Sequence, residues 1–247
     1  VINGQTVLQI WDVSKGEDTS AYITLNIHGD ENQVFPLVSG GESFSVALKA
    51  DGTVWTWGDN TSSQLGRTDT SIIGQVVAPT TQTAGGDVET TSLDSSLYLT
   101  DVKYISAGKS HVLALTTAGK VYAWGDNYHG QLGTDQPDSI VSIPTEVVLP
   151  EENGATVVPV KVSTKDNTSY MLTITGSVYG WGESFDDADV PQKLTNFNNV
   201  VNLSSDYVLT VDGSVWQIVP NALPEKIFGF RELEGLRLRQ AQTICWL

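Results

Sequence analysis

Short apolar segments separated by glycine-bearing turns recur along the chain. In residues 111–124 an apolar run is followed by such a turn and then by the segment Val-Tyr-Ala-Trp. Two runs of β-favouring residues around a turn are typical of a β-hairpin. Because side chains alternate along a strand, Val121 and Ala123 lie on one face and Tyr122 and Trp124 on the other. Both faces are apolar, so the pattern predicts a hairpin that is covered on both sides.

The same pattern returns in several copies. Residues 39–66 and 106–133 align without a gap and are identical at 14 of 28 positions, which indicates an internal repeat. Clear copies span residues 38–66, 102–133 and 160–194, a degenerate copy spans 200–227, and partial copies span 1–11 and 235–247. Hairpins that are apolar on both faces can stack as blades. The repeat therefore predicts an all-β fold of about five stacked units, a propeller, solenoid or array, in a single domain over residues 1–247.

The two ends of the chain are complementary halves of a copy. Residues 3–11 look like the second half of a hairpin, and residues 235–247 look like the first half of one. One interpretation is that both ends share a blade, with the C-terminal run as its inner strands and residues 5–11 as its outer ones. The other is that both ends are cut copies. Residues 231–242 also carry a weak helical pattern, but the repeat register favours a strand there.

The connections between copies differ in length, whereas the hairpins do not. Residues 67–101 are rich in Thr, Ser, Gly and Asp, which predicts an exposed loop, and the apolar pair Val76 and Val77 within it predicts an outer strand. A proline precedes the next copy in several connections, which suits the start of a strand or an edge strand because proline has no N–H to donate. We expect the connections 67–101 and 134–159 to provide contacts with other molecules.

The net charge of the chain limits the classes of molecule that it is expected to bind. With 13 Lys and Arg against 29 Asp and Glu, the net charge is −16, which argues against nucleic acid and anionic membrane surfaces as partners. The acidity favours solubility, and a basic partner is the alternative. The single cysteine, Cys245, excludes an intrachain disulfide and a cysteine zinc site. No apolar run approaches the roughly 20 residues that a membrane-spanning helix requires.

The second copy resembles the RCC1 repeat. Its pattern, with Gly108, His111, Gly119, Trp124 and Gly125 followed by Asn-x-x-Gly-Gln-Leu-Gly, is specific over residues 38–66 and 102–133 and weaker elsewhere. In the first copy a phenylalanine stands in place of the histidine. The resemblance implies an RCC1-like β-propeller or propeller segment of four-stranded blades. The family usually has seven blades, so the chain, with about five, departs from it. It also implies structural roles for the following repeat positions: Gly41, Gly52, Trp57, Gly58, Gly66, Gly108, His111, Gly119, Trp124, Gly125, Gly133, Gly176, Trp181, Gly182, Gly213 and Trp216.

Candidate chemistry is sparse. The three histidines, His28, His111 and His129, occupy different repeat positions, so they do not predict a metal site, and His111 is expected to hydrogen-bond a neighbouring backbone group. The Trp-Gly pairs recur at one repeat position, which favours a packing role over a row of sugar-binding rings. The acidic segment 182–189 (with Asp186 and Asp187) lacks the spacing of a calcium loop. We therefore predict no catalytic residue, no metal and no cofactor.

Three functions agree with these observations. The first is a non-catalytic protein-binding module that uses the rim loops of a propeller, as a secreted bacterial β-lactamase inhibitor with similar repeats does. The second is a structural spacer in a large surface or fibre protein, and the third is a carbohydrate-binding or hydrolytic propeller. The Thr-, Ser-, Asp- and Asn-rich connections resemble those of secreted or surface-attached bacterial members, which implies an extracellular or cell-surface location, with the cytoplasm as the alternative. We expect a protein partner, no nucleic acid and no membrane insertion.

Overall fold

A computed structural model describes residues 5–10, 21–26, 34–69, 71–79, 98–134, 140–185 and 189–228. The chain divides into two units, residues 1–33 and 34–247. The first unit contains strands β1 (Gln5–Ile10) and β2 (Ala21–Asn26), which pair in antiparallel register. That both units form one domain stays a prediction.

The second unit consists of consecutive antiparallel meanders. Its described residues form four four-stranded sheets, each with its strands in sequence order, and one short two-stranded hairpin. Sheet 1 contains β3 (Leu37–Gly40), β4 (Phe44–Leu48), β5 (Val54–Gly58) and β6 (Ile73–Gln75). Sheet 2 contains β7 (Val102–Ala107), β8 (His111–Thr116), β9 (Val121–Asp126) and β10 (Ile140–Glu146). The hairpin is β11 (Glu151–Glu152) with β12 (Ala155–Thr156). Sheet 3 contains β13 (Pro159–Lys165), β14 (Thr168–Thr173), β15 (Val178–Gly182) and β16 (Gln192–Lys193), and sheet 4 contains β17 (Val200–Ser204), β18 (Tyr207–Thr210), β19 (Val215–Gln217) and β20 (Glu225–Phe228).

These sheets confirm the predicted all-β, propeller-type architecture. The copies 38–66 and 102–133 each supply the first three strands of one sheet, and the connection after each of them supplies the outer strand. The copies 160–194 and 200–227 extend into the outer strand of their own sheets. The outer strand of sheet 1 begins at Ile73, slightly earlier than the predicted pair Val76 and Val77. The N–H of Val76 nevertheless donates to Val54 and continues that strand's pairing.

The middle hairpin of each sheet closes through a glycine with positive φ. In sheet 2, Leu115 pairs with Val121, and Gly119 turns the chain at φ +81°. A glycine adopts this left-handed conformation without the steric strain that a Cβ brings. The same turn recurs in the other three sheets, at Gly52, Gly176 and Gly213.

The core lies between consecutive sheets, at seams that we number by the two sheets they join. Seam 1–2 buries Phe44 and Val46 against Val112 and Trp124. Seam 2–3 buries the other face of sheet 2, including Leu113 and Ala123, against sheet 3, and seam 3–4 is built in the same way. Sheet 2 is therefore covered on both faces, as its apolar alternation predicts. Stacking of this kind is what stabilises repeat proteins, because each unit contacts only its neighbours.

The predicted closure of the fold falls outside the described residues. Strand β1 is the first of two paired strands, as the outer half of a shared blade would require. Residues 231–242 and 235–247, which would supply the inner half, are not among the described residues. Closure stays a prediction.

Candidate protein-binding surface

One end of the second unit presents a row of tight hairpin tips. The first two strands of the four sheets are connected by residues 41–43, 108–110, 166–167 and 205–206. The N–H of Glu42 donates to the carbonyl of Lys109 at 3.0 Å, and the N–H of Lys109 donates to the carbonyl of Asp166 at 2.8 Å. We call this end the tip face. Its first three tips are bonded backbone to backbone, so their relative positions are fixed.

The turn after the third strand of each sheet reaches the same end. The N–H of Asp59 donates to Ser43, and the N–H of Asp126 donates to Ser110, both at 2.9 Å. The carboxylate of Asp59 accepts hydrogen bonds from the hydroxyl of Thr61 and the amide of Gln64, and the Thr61 contact is the main reason why the pKa of Asp59 lies below its ordinary value. Asp126 accepts from a backbone N–H two residues on. Each aspartate therefore caps the turn that follows the third strand of its sheet.

The turns that follow the third strands of sheets 1 and 2 are each joined to the next sheet by one tryptophan. The indole N–H of Trp124 donates to the carbonyl of Gln64 at 3.0 Å, and that of Trp181 donates to the carbonyl of Gln131 at 2.9 Å. Both rings are fully buried. A solvent-facing row of sugar-binding rings is therefore not possible at these positions. The sequence suggested the packing role, but the carbonyl acceptors came only from the tertiary structure.

The remaining aromatic repeat positions are less enclosed. Trp57 and Trp216 are each half-buried, and the ammonium of Lys226 lies 5.6 Å from the centre of the Trp216 ring. In sheet 4 the position of the buried tryptophans is taken by Ile218, which is also buried. The Gln-Leu-Gly turn that would accept the hydrogen bond of a tryptophan in sheet 4 is likewise missing after the third strand of sheet 3. The tryptophan and the turn that it would bind are thus absent from the same seam.

Seven of the repeat glycines lie where the backbone passes closely over a neighbour. At Gly133, φ is +66°, and an added Cβ would lie 2.7 Å from the indole nitrogen of Trp181. At Gly125 a Cβ would lie 2.4 Å from the carbonyl oxygen of Ser110. The other close approaches of this kind occur at Gly41, Gly58, Gly66, Gly108 and Gly182.

Two open clefts accompany the tips and turns. A cleft of about 630 Å³ on the tip face is lined by residues that include Glu42, Lys109, Asp166 and Asn167. A second cleft of about 450 Å³ lies between the outer parts of sheets 3 and 4, and Ile218 contributes to its lining. The second cleft occurs at the seam that has lost both the turn and the tryptophan.

Other predicted residues are dispersed. His111 is buried at seam 2–3, His129 is exposed in a turn, and His28, Asp186 and Asp187 lie outside the described residues. Within the described part of the chain, no three His, Cys, Asp or Glu side chains are grouped as a metal site. Of the two connections expected to make contacts, residues 80–97 and 135–139 are not described, and the second connection contains the hairpin β11–β12. The described residues include no helix long and apolar enough to cross a membrane.

Comparison with known sequences decides the family. Two profiles of the Regulator of chromosome condensation (RCC1) repeat match the chain, one at residues 37–64 and 102–131, the other at residues 51–115 and 118–167. Together these matches span residues 37–167, just over half of the 247 residues. The chain belongs to the RCC1 repeat family.

Two relatives are considerably longer than this chain. The chain is 32% identical over 149 residues to the mitochondrial RCC1 domain-containing protein RUG3 of Arabidopsis thaliana, covering 60% of this chain and 29% of RUG3. It is 28% identical over 151 residues to mouse protein RCC2, of which it covers 25%. The chain therefore spans about a quarter of the length of these relatives.

Solved structures of RCC1-type propellers show the same fold. Prp20p of Saccharomyces cerevisiae, described with its binding properties to Gsp1p and histones, matches with a TM-score of 0.59 at 20% identity. That match covers 79% of this chain and 50% of Prp20p. Human WBSCR16 matches with a TM-score of 0.58 at 23% identity and covers 85% of this chain and 56% of the human protein. At these identities the likeness establishes the propeller fold alone.

Proposed function

We propose that this chain is a non-catalytic protein-binding module that recognises its partner through the tip face. The observation that carries the proposal is the backbone bonding between successive tips. A surface whose backbone is fixed before binding loses little conformational entropy on association. The side chains on such a platform can vary without disturbing the seams beneath it.

The charge of the tip face suggests the chemistry of the partner. At the tips and the adjoining turns, the described residues that are not buried carry seven acidic and two basic side chains, which gives 2 − 7 = −5. The acidic ones are Glu42, Asp59, Asp69, Asp126, Asp166, Glu183 and Asp189, and the basic ones are Lys109 and Lys165. A surface of this charge attracts and orients a basic protein patch. A relative of the same fold, Prp20p, is described as binding histones, which are basic proteins.

We further propose an extracellular or cell-surface location. The support is compositional: few Lys and Arg residues, and connections rich in Thr, Ser, Asp and Asn. Detection of the protein on intact cells by an antibody, lost after mild surface proteolysis, would support this location. Detection only after lysis would contradict it.

The function is tested with paired charge reversals in the full chain. Glu42→Lys with Asp166→Lys alters the tip face, and Glu151→Lys with Asp212→Lys makes the same charge change at the opposite end. Wild type and both variants are immobilised, and proteins captured from surface and soluble fractions of the source cells are quantified by mass spectrometry. We expect a partner protein to be captured by wild type and by the Glu151/Asp212 variant. The captured amount of that protein should fall at least tenfold on the Glu42/Asp166 variant.

Three outcomes contradict the proposal. Equal loss on both variants would mean that net charge, and not the tip face, governs capture. No capture by any form would favour a spacer role. Glycan binding or hydrolase activity that survives the tip-face change would favour the carbohydrate alternative.

A further inference from the structure

Seam 2–3 contains a buried histidine with one hydrogen-bond partner. His111 has no exposed surface, and its Nε2 lies 2.9 Å from the hydroxyl of Ser169 on the neighbouring sheet. That hydroxyl donates its only proton to the carbonyl of Gln131 at 2.7 Å. The Ser169 oxygen must therefore accept from Nε2–H, which leaves Nδ1 as the unprotonated nitrogen. Within the described residues Nδ1 has no hydrogen-bond partner.

A proton added to Nδ1 would carry a charge into this enclosed site without an acceptor. Such burial is costly, and it lowers the pKa of His111 to about 3. The titratable groups on the elements around this seam include Lys109 at the tip of sheet 2, Lys165 and Asp166 at the tip of sheet 3, Asp126, His129 and Glu183 in the turns, and Tyr104 and Tyr179 in the core. None of them hydrogen-bonds to the imidazole ring in the described structure, and burial is the cause of the lowered pKa of His111.

The equivalent position of seam 1–2 is apolar. Phe44 occupies the repeat position of His111, and Val112 occupies that of Ser169; both are buried in one cluster. The two rings are accommodated alike, because a Cβ at Gly41 would lie 1.9 Å from the Phe44 ring and one at Gly108 would lie 2.2 Å from the His111 ring. The seams thus share a shape but differ in one ionisable group.

We propose that seam 2–3 is an acid-sensitive joint, in which protonation of the buried His111 in mild acid opens the contact between sheets 2 and 3 while seam 1–2 stays closed. Opening separates the Lys109 tip from the Asp166 tip and exposes Trp181. The inference does not depend on the proposed function.

The direction and size of the effect follow from linkage. In the closed seam the pKa of His111 is about 3, and in the open seam it returns to the ordinary value of about 6.5. The open form therefore binds more protons between these values, and opening increases as pH falls from about 6.5. When the pH falls from 7 to 5, the equilibrium constant for opening rises by about 25-fold. This is the ratio of (1 + 10^1.5) to (1 + 10^−0.5), in which each exponent is the ordinary pKa of about 6.5 minus the pH.

Amide hydrogen exchange of the full chain at pH 7 and pH 5 measures this equilibrium, after correction for the intrinsic pH dependence of exchange. We expect peptides from β13, β14 and β15 to lose about 25-fold in protection at pH 5, and peptides from β4 and β5 to be unaffected. The matched variant is His111→Phe with Ser169→Val, which copies into seam 2–3 the pair that the chain already uses in seam 1–2. In this variant the loss of protection at pH 5 should disappear.

Three results would overturn the proposal. They are an unchanged pH response in the double variant, an equal loss of protection at both seams in wild type, and a native His111 that titrates above about 5.5. The last is measured on the wild-type protein alone, from the pH dependence of the imidazole Cε1–H resonance, so the test does not depend on the variant folding.

Discussion

The contact between Gly133 and Trp181 allows a quantitative test of how the sheets are joined. The backbone of Gly133 lies directly under the indole, and its φ of +66° is in the left-handed region. The substitution Gly133→Ala therefore introduces two unfavourable effects, backbone strain and a contact of 2.7 Å between Cβ and the indole nitrogen. The substitution Gly119→Ala separates the two effects. Gly119 has φ +81°, but an added Cβ there meets nothing within 4 Å, so this substitution introduces the backbone strain without the contact.

The magnitudes follow from these geometries. A non-glycine residue in the left-handed region costs about 1–2 kcal/mol, of which about half is regained because alanine restricts the unfolded chain. We expect Gly119→Ala to lower the free energy of unfolding by about 1 kcal/mol. Overpacking against a fixed side chain adds about 1–3 kcal/mol. We therefore expect Gly133→Ala to lower it by about 2–4 kcal/mol.

Equilibrium urea unfolding of the full chain, followed by tryptophan fluorescence and circular dichroism, measures both variants. A third protein carries Trp181→Ile, the residue type that Ile218 provides at the same position of sheet 4. In that background the shorter side chain removes most of the contact, and the effect of Gly133→Ala should fall to that of Gly119→Ala. If Gly133→Ala is no more destabilising than Gly119→Ala in the wild-type background, the indole does not fix the turn and the reasoning is refuted.

Three further changes test other parts of the structure. Trp124→Ala removes a fully buried ring and should lower the free energy of unfolding by about 3–5 kcal/mol; a loss below about 1 kcal/mol would contradict its place in the core. Trp57→Ala, at a half-buried position of the same repeat register, should cost clearly less in the same urea assay. The carboxylate of Asp206 is buried, which by itself raises its pKa, but the hydrogen bonds from Lys165 and Gln217 outweigh burial and place the pKa below the ordinary value. Because a depressed carboxyl pKa contributes stability that is complete above the ordinary value of about 4 and is lost as pH falls through the lower pKa of the folded state, Asp206→Asn should cost about 2 kcal/mol at pH 7, and the difference from wild type should narrow as pH falls from about 4; a difference as large at pH 3 as at pH 7 would contradict this assignment.

The hairpin repeat could be read from the sequence because it is a local property. Val121 to Trp124 alternate on a strand, and Gly119 marks the turn, so the strands of sheet 2 could be located without any distant contact. The burial of both faces also followed, since neither face has enough polar residues to lie in water. The outer strands were harder to predict from the sequence, because their pairing segments, such as Ile73–Gln75, are short.

The candidate surface depended on distances that no local pattern encodes. The bond from Lys109 to Asp166 joins residues 57 positions apart, and the one from His111 to Ser169 joins residues 58 apart. Sequence reasoning assigned His111 a backbone partner, whereas the structure gives it a hydroxyl that in turn binds a backbone carbonyl. The paired loss of the Gln-Leu-Gly turn in copy three and the tryptophan in copy four was visible in the sequence. The reason for this paired loss became clear only from the structure, in which the indole N–H of Trp181 donates to the carbonyl of Gln131 in the preceding turn.

By itself, the sequence determined that this protein is a series of antiparallel blades with apolar faces, because alternation and turn formation act within a few residues. The tertiary structure decided which blade atoms meet: which carbonyl accepts each indole, which seam encloses an ionisable ring, and which tips are bonded into one face. Those contacts depend on how successive sheets are rotated and spaced, a geometry set by the combined packing of whole faces and not by any one segment.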